Sequence, residues 1–242
     1  MADSNEEKLK KIQDLANEGD YESIIEICNE ITGEDPNNLQ AHLCCASAYI
    51  ELKRYSRAAD EYSKILEIKP DLHFILILRG DAYMDAEKFK QALEDYDKVI
   101  QLGCKLPSVY NNRGLIYGQH LQQFEKAIDD LNKAIELAPK YFEAYNNRAL
   151  AYANLDKFDK ALEDLNKAIK LYPNFAACYT NRGRIYLEFQ ELKKALADFN
   201  KAIQLEPKQG YPYFWRGTCY EALGEEKKAR ADFATAKKLG YE

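Results

Sequence analysis

Tyr110–Tyr117 reads YNNRGLIY, and the chain writes nearly the same eight residues again at Tyr145–Tyr152 (YNNRALAY) and Tyr179–Tyr186 (YTNRGRIY). Aromatic and small residues recur in it three and four positions apart, the period of one face of a helix. Asn is a weak helix former because its side chain competes for backbone hydrogen bonds. Its return in successive helices points to a gain that outweighs propensity.

Outward from that motif the whole chain is periodic. The residues that open a second helix fall at Ile24, Ala58, Ala92, Ala127, Ala161, Ala195 and Ala229, at spacings of 34, 34, 35, 34, 34 and 34. Prolines close units at Pro36, Pro70, Pro139, Pro173 and Pro207, and Cys104 stands where the third unit would have its own. Within one unit, Tyr145, Ala149, Tyr152 and Leu155 mark one apolar stripe, and Ala161, Leu162, Leu165, Ala168 and Ile169 a second. Each unit is therefore a helical hairpin. Its stripes are too wide to satisfy each other, so neighbouring hairpins must stack. The expected units are 5–38, 39–72, 73–106, 107–141, 142–175, 176–209 and 210–242, as a single array.

The large, small, aromatic, Ala, aromatic, Ala, Pro pattern in the fifth unit (Tyr145, Ala149, Tyr152, Ala161, Leu165, Ala168 and Pro173) resembles the tetratricopeptide repeat. The resemblance covers nearly the whole chain, with one inserted residue in the fourth unit (GQHLQQF). It implies an all-α, right-handed superhelical solenoid of seven helix-turn-helix units. It also implies a concave groove, lined by the first helices, that holds an extended peptide or a partner's helix.

Two sets of positions have mechanical explanations. Gly80, Gly114, Ala149, Gly183 and Gly217 fall where the helices of a hairpin cross, and a larger side chain would force them apart. Units three to seven carry Arg at the seventh position and Asp at the twenty-third: Arg79 with Asp95, Arg113 with Asp130, Arg148 with Asp164, Arg182 with Asp198, Arg216 with Asp232. The second unit has Cys45 with Glu61 and the first Lys11 with Ile27, so where the Arg is missing the Asp is missing too. The expected role is an ion pair within a hairpin or with its neighbour; contact with an acidic ligand is the other reading.

At the ends, Ser4 and Glu7 fit a capping box, and Arg230 and Lys237 replace the apolar residues that would face an eighth unit. These mark the terminal helices as polar caps, with residue 242 near a natural end. Gly103, Cys104 and Pro107 make the junction before the fourth unit irregular, the place to seek a change of pitch or a hinge.

Composition narrows the function. The chain's 242 residues carry a net charge of -6, which argues against a nucleic-acid partner. Residues 1–106 hold 13 Lys/Arg against 22 Asp/Glu, and the rest 21 against 18, so the charge is uneven. No run approaches a membrane helix, and the mixed-charge N-terminus is unlike a leader peptide, which predicts a cytoplasmic protein without membrane insertion. The six cysteines form no C-x-x-C, the three histidines lie in different units, and no hydrolase or metalloprotease motif occurs, so neither enzyme, cofactor nor metal site is expected.

The leading expectation is a non-catalytic adaptor that grips a partner protein. A chaperone-tail receptor is the alternative, although no Lys stands at the fifth repeat positions such receptors use. A structural subunit of a larger assembly or homo-oligomer is a third. The groove expected from the sequence has Asn112, Asn147 and Asn181, with Asn111 and Asn146 beside them, as a ladder of amides for a ligand's backbone. Its apolar anchors would be Phe74, Ile77, Leu78 and Met84 in the third unit, and Tyr211, Phe214 and Trp215 in the seventh. Coverage of these residues by the chain's own packing is the competing structural reading.

Overall fold

The structure, a computed structural model, describes the backbone of residues 2–241 and the side chains of residues 7–241. The described residues form 14 α-helices, one π-turn and no strand. They fall into two compact units, residues 1–116 and 117–242. The first holds α1 (Ala2–Glu18), α2 (Tyr21–Glu34), α3 (Leu39–Glu51), α4 (Tyr55–Ile68), α5 (His73–Asp85), α6 (Phe89–Gln101) and α7 (Pro107–Leu115). The second holds α8 (Phe124–Leu137), α9 (Phe142–Asn154), α10 (Phe158–Leu171), α11 (Ala176–Glu188), α12 (Leu192–Leu205), α13 (Gly210–Ala222) and α14 (Glu226–Lys238).

Within each unit, consecutive helices pack as hairpins and consecutive hairpins pack on one another. The second helix of a hairpin buries one stripe, such as Ala161, Asp164, Leu165 and Ala168 of α10. The first helix is covered on more sides: α11 buries Ala176, Cys178, Tyr179, Thr180, Asn181, Gly183 and Ile185.

The crossing points of the third, sixth and seventh hairpins are fitted by size. A Cβ on Gly80 would lie 2.9 Å from Tyr96, on Gly183 2.7 Å from Phe199, and on Gly217 2.8 Å from Phe233. Where the facing residue is Leu165, the small residue is Ala149, and both are buried in one cluster. The first hairpin reverses the sizes, with Ile12 and Cys28 sixteen residues apart and buried in one core. Close packing of this kind punishes both enlargement and truncation.

The turn inside each hairpin uses a left-handed residue to end the first helix. Gly19 and Gly224 occupy it at φ 76° and 74°, but Lys53, Glu87, Gln122, Asp156 and Gln190 adopt φ 53–58° at the same place. The following amide closes the helix on a carbonyl five residues back, as Lys157 to Tyr152 at 2.9 Å and Glu191 to Tyr186 at 2.8 Å. In the fourth hairpin the corresponding bond runs from Gln123 to Tyr117 at 2.8 Å, six residues back. The inserted residue thus sits inside the helix end, as the π-turn Ile116–His120, while the left-handed turn at Gln122 is kept. The boundary between the compact units falls within that π-turn.

One end expectation is corrected. Helix α1 starts at Ala2, so Ser4 lies inside the helix and not at its cap; its side chain lies outside the described residues. At the other end, Arg230 is exposed on α14 and pairs with Glu226 at 3.0 Å.

Candidate functional site

The opening motif is explained by its arginine. Nε and Nη2 of Arg148 bond both oxygens of Asp164 at 2.7 Å. Arg79 with Asp95, Arg182 with Asp198 and Arg216 with Asp232 repeat this geometry at 2.6–2.8 Å. The remaining Nη1 reaches the second helix of the preceding hairpin: Ser63 for Arg79, Asp97 for Arg113, Asn132 for Arg148, Asn166 for Arg182 and Asn200 for Arg216. The guanidiniums of Arg79, Arg148, Arg182 and Arg216 therefore tie their own hairpin to its neighbour, the structural reading offered above. The motif's tyrosines, three residues before and four after, flank the cation: Arg182 lies 5.7 Å from the Tyr179 ring and 5.9 Å from that of Tyr186. The leading tyrosine also donates its hydroxyl to the carbonyl six residues back, as Tyr179 to Pro173 at 3.0 Å. In the second hairpin, which lacks the arginine, buried His42 takes its place, with Nδ1 2.6 Å from Glu61 and Nε2 2.9 Å from the Pro36 carbonyl.

Much of the amide capacity of the asparagines is used within the fold. Asn111, Asn146 and Asn181 are buried. Asn181 Nδ2 donates to Asn146 Oδ1 at 2.9 Å, and that oxygen also accepts from the Cys178 thiol at 3.4 Å. Asn146 donates to Asn147 Oδ1 at 3.4 Å, and Asn111 to Asn112 Oδ1 at 3.2 Å. Asn112 in turn donates to Asp81 at 3.0 Å, beside the Tyr96 hydroxyl on the same carboxylate at 2.6 Å. Among the expected anchors of the first unit, Ile77, Leu78 and Met84 pack against its core, while Phe74 is 59% exposed.

The anchors of the second unit lie in a ring cluster. Phe214 meets Trp215, Phe233 and Tyr241 at 5.2–5.6 Å, and Tyr211 meets Trp215 at 6.2 Å and Tyr241 at 5.2 Å. Beside this cluster is a cavity of about 310 Å³, lined chiefly by first-helix residues of three successive hairpins: Ala149, Leu150, Ala153 and Asn154 of α9, Asn181, Arg184, Ile185, Leu187 and Glu188 of α11, and Trp215 of α13. Phe158 and Leu165 of α10, and Asp156, complete it. Arg184 was not singled out by the sequence reading. It donates Nη1 to the Tyr211 hydroxyl at 2.6 Å and stacks 4.7 Å from the Trp215 ring. Burial pushes the Tyr211 hydroxyl upward in pKa, with Arg184 opposing the shift. Among the described residues, Arg184 Nε and Trp215 Nε1 are the buried side-chain atoms without a hydrogen-bond partner.

The cysteines and histidines offer no chemistry of comparable promise. Burial pushes the Cys178 thiol up to about 12 and raises Cys219 as well, away from the thiolate a nucleophile needs. No group of three metal-ligating residues occurs among the described residues, and no helix there is long and apolar enough to cross a membrane.

Comparisons with known proteins agree with this architecture. The chain is similar over 99% of its length to a tetratricopeptide repeat protein from Parabacteroides merdae, at 24% identity and a TM-score of 0.84, covering 94% of that chain. It is also similar to YrrB, a TPR protein with an unusual peptide-binding site (23% identity, TM-score 0.59, 76% of this chain and 95% of that one). A third similar structure is that of the APC/C hetero-tetramer Cut9-Hcn1 (16% identity, TM-score 0.76, 95% of this chain and 45% of that one). These likenesses show the fold. No curated protein matches the sequence. Tetratricopeptide repeat models match residues 15–74, 142–175 and 176–209, and a TPR repeat model matches 80–120 and 121–156, so the chain belongs to the tetratricopeptide repeat family.

Proposed function

We propose that the chain is a non-catalytic adaptor whose second compact unit holds an extended peptide segment of a partner protein. The observation that carries this reading is the cavity formed by the first helices α9, α11 and α13. It combines an apolar wall (Leu150, Ala153, Ile185 and Leu187) with a few polar side chains, among them Asn181, Arg184 and Glu188. Pockets of a few hundred Å³ with few, convergent polar groups are the usual form of a ligand site. A peptide-binding site in YrrB, of the same fold, supports the class of ligand. Trp215 is retained as an anchor. The asparagines contribute with whatever amide capacity Asn147 and Asn181 have beyond their internal bonds. The six cysteines are free, which suits a reducing compartment such as the cytoplasm.

The test is selection of peptides from a random display library on the folded chain, repeated with Ala153→Arg, which fills the cavity. Enriched peptides that lose at least tenfold in affinity for the variant support the adaptor reading. A library that enriches nothing, or peptides indifferent to the variant, would refute it. A chain that elutes as a defined oligomer and selects no peptide would instead favour the structural-subunit reading.

A further inference from the structure

The cavity is electrically one-sided. Asn154 ends α9 and Glu188 ends α11, and both line the cavity together with Asp156, the left-handed turn residue just beyond α9. Two helix C-termini therefore lie at its edge, each equivalent to about half a unit of negative charge. Helix ends of this kind favour cations, so a carboxylate is locally unfavourable at either one. Asp156 and Glu188 stand there nevertheless. Both are exposed, and neither carboxylate has an ion-pair or hydrogen-bond partner among the described residues. By contrast, Glu191 and Glu225 in the turns of the next two hairpins pair with Lys194 and Lys228. Arg184, the one cation of the lining, is held at the Trp215 wall by ring stacking and by the Tyr211 hydroxyl. The lining thus sets two unpaired carboxylates and two helix C-termini against a single guanidinium.

Resting on the adaptor reading, we propose that this cavity is the recognition site for one lysine side chain of the bound peptide. Its four-carbon stem lies along Leu150, Ala153, Ile185 and Leu187, and its ammonium reaches the carboxylates of Asp156 and Glu188. Lysine suits that division, because it buries an apolar stem while keeping its charged head in contact with water. The two carboxylates are exposed, so the ammonium meets them without full desolvation, and the helix ends add to the attraction. Arginine suits the site less well. Its rigid fork matches the two oxygens of one carboxylate, whereas a compact ammonium with three donors is readily shared between two. An anionic side chain of the ligand meets two like charges here and is disfavoured.

Trp215 is the single tryptophan of the chain and lines the cavity, so its one indole cross-peak in a ¹⁵N-correlated NMR spectrum reports occupancy. The probes are acetyl-alanyl-lysyl-alaninamide, its norleucine analogue, which keeps the stem and lacks the ammonium, and its arginine analogue. The lysine peptide should shift the cross-peak saturably, with an affinity about fivefold above that of the norleucine peptide, the upper end for exposed ion pairs. It should also bind more tightly than the arginine peptide, and its advantage over norleucine should shrink as salt is raised. The double variant Asp156→Asn/Glu188→Gln should abolish that advantage and leave the affinity for the norleucine peptide unchanged. Asparagine also adopts the left-handed conformation that residue 156 requires, and circular dichroism checks the fold. Should the variant not fold, the lysine-against-norleucine comparison and its salt dependence on the unaltered chain decide. Equal affinities for lysine and norleucine, tighter binding of arginine, no saturable shift, or an advantage that survives in the folded double variant would overturn the proposal. Peptides that still enrich in the display experiment and depend on Ala153 would then leave the adaptor reading standing.

Discussion

Arg182 and Arg184 are two residues apart on α11, yet they belong to different regions of the second unit. Arg182 lies in the seam between hairpins, with Asp198 on two nitrogens, Asn166 on the third and a tyrosine ring on either side. Arg184 lies in the cavity, with a tyrosine hydroxyl, a tryptophan face and an unpaired Nε. In the first unit the same contrast takes another form: the residue at the ninth repeat position, where Arg184 stands in its own unit, is Asp81, and its carboxylate already accepts from Tyr96 and Asn112. What separates the two arginines is the state of completion of their polar groups. Residue type alone does not do so.

That comparison can be broken most severely at the seam's crossing point. Gly183→Leu places a branched side chain where even a Cβ would sit 2.7 Å from Phe199, and should cost more than about 3 kcal/mol in urea denaturation. Removing one partner of the seam's ion pair comes next. Asp198→Ala leaves Arg182 partly buried without its counter-charge and should cost about 3 kcal/mol. A smaller loss, about 2 kcal/mol, is expected for Gly183→Ala, and Phe199→Leu added to it should recover most of that loss by copying the Ala149 and Leu165 arrangement. Additive losses in the double variant would show that the size fit is not the governing term. Asn181→Ala removes a 2.9 Å bond to Asn146 and should cost about 1 kcal/mol. The smallest effect belongs to the π-turn: deleting exposed Gln119 restores the regular spacing and should change stability by less than about 0.5 kcal/mol.

The repeat was legible because the same packing problem is solved seven times, and each solution leaves the same residues at the same spacing. The arginine and aspartate pairs were legible for a related reason: both partners disappear together in the first two units. The third arginine contact was not, since the acceptor is Ser63, Asp97, Asn132, Asn166 or Asn200 and no single residue type marks it. The insertion in the fourth unit was visible as one extra residue, but whether a helix end or a turn absorbs it depends on backbone bonds the letters do not record. Ser4 misled because a capping-box pattern does not prevent a helix from starting two residues earlier. The asparagines were read as a free ladder; several of their bonds run to neighbouring hairpins, invisible without the stacking. Arg184 did carry a signal, as the one cation at the ninth repeat position, but it occurs once, and a reading built on repetition passes over what does not repeat.

The claim that a seam arginine builds the fold while its near neighbour serves a ligand is tested most directly by urea denaturation of Arg182→Gln and Arg184→Gln side by side. The account predicts a loss of about 3 kcal/mol for Arg182→Gln and less than about 1 kcal/mol for Arg184→Gln, whose guanidinium lacks a carboxylate to strand. Equal losses, or a larger loss at Arg184, would contradict it.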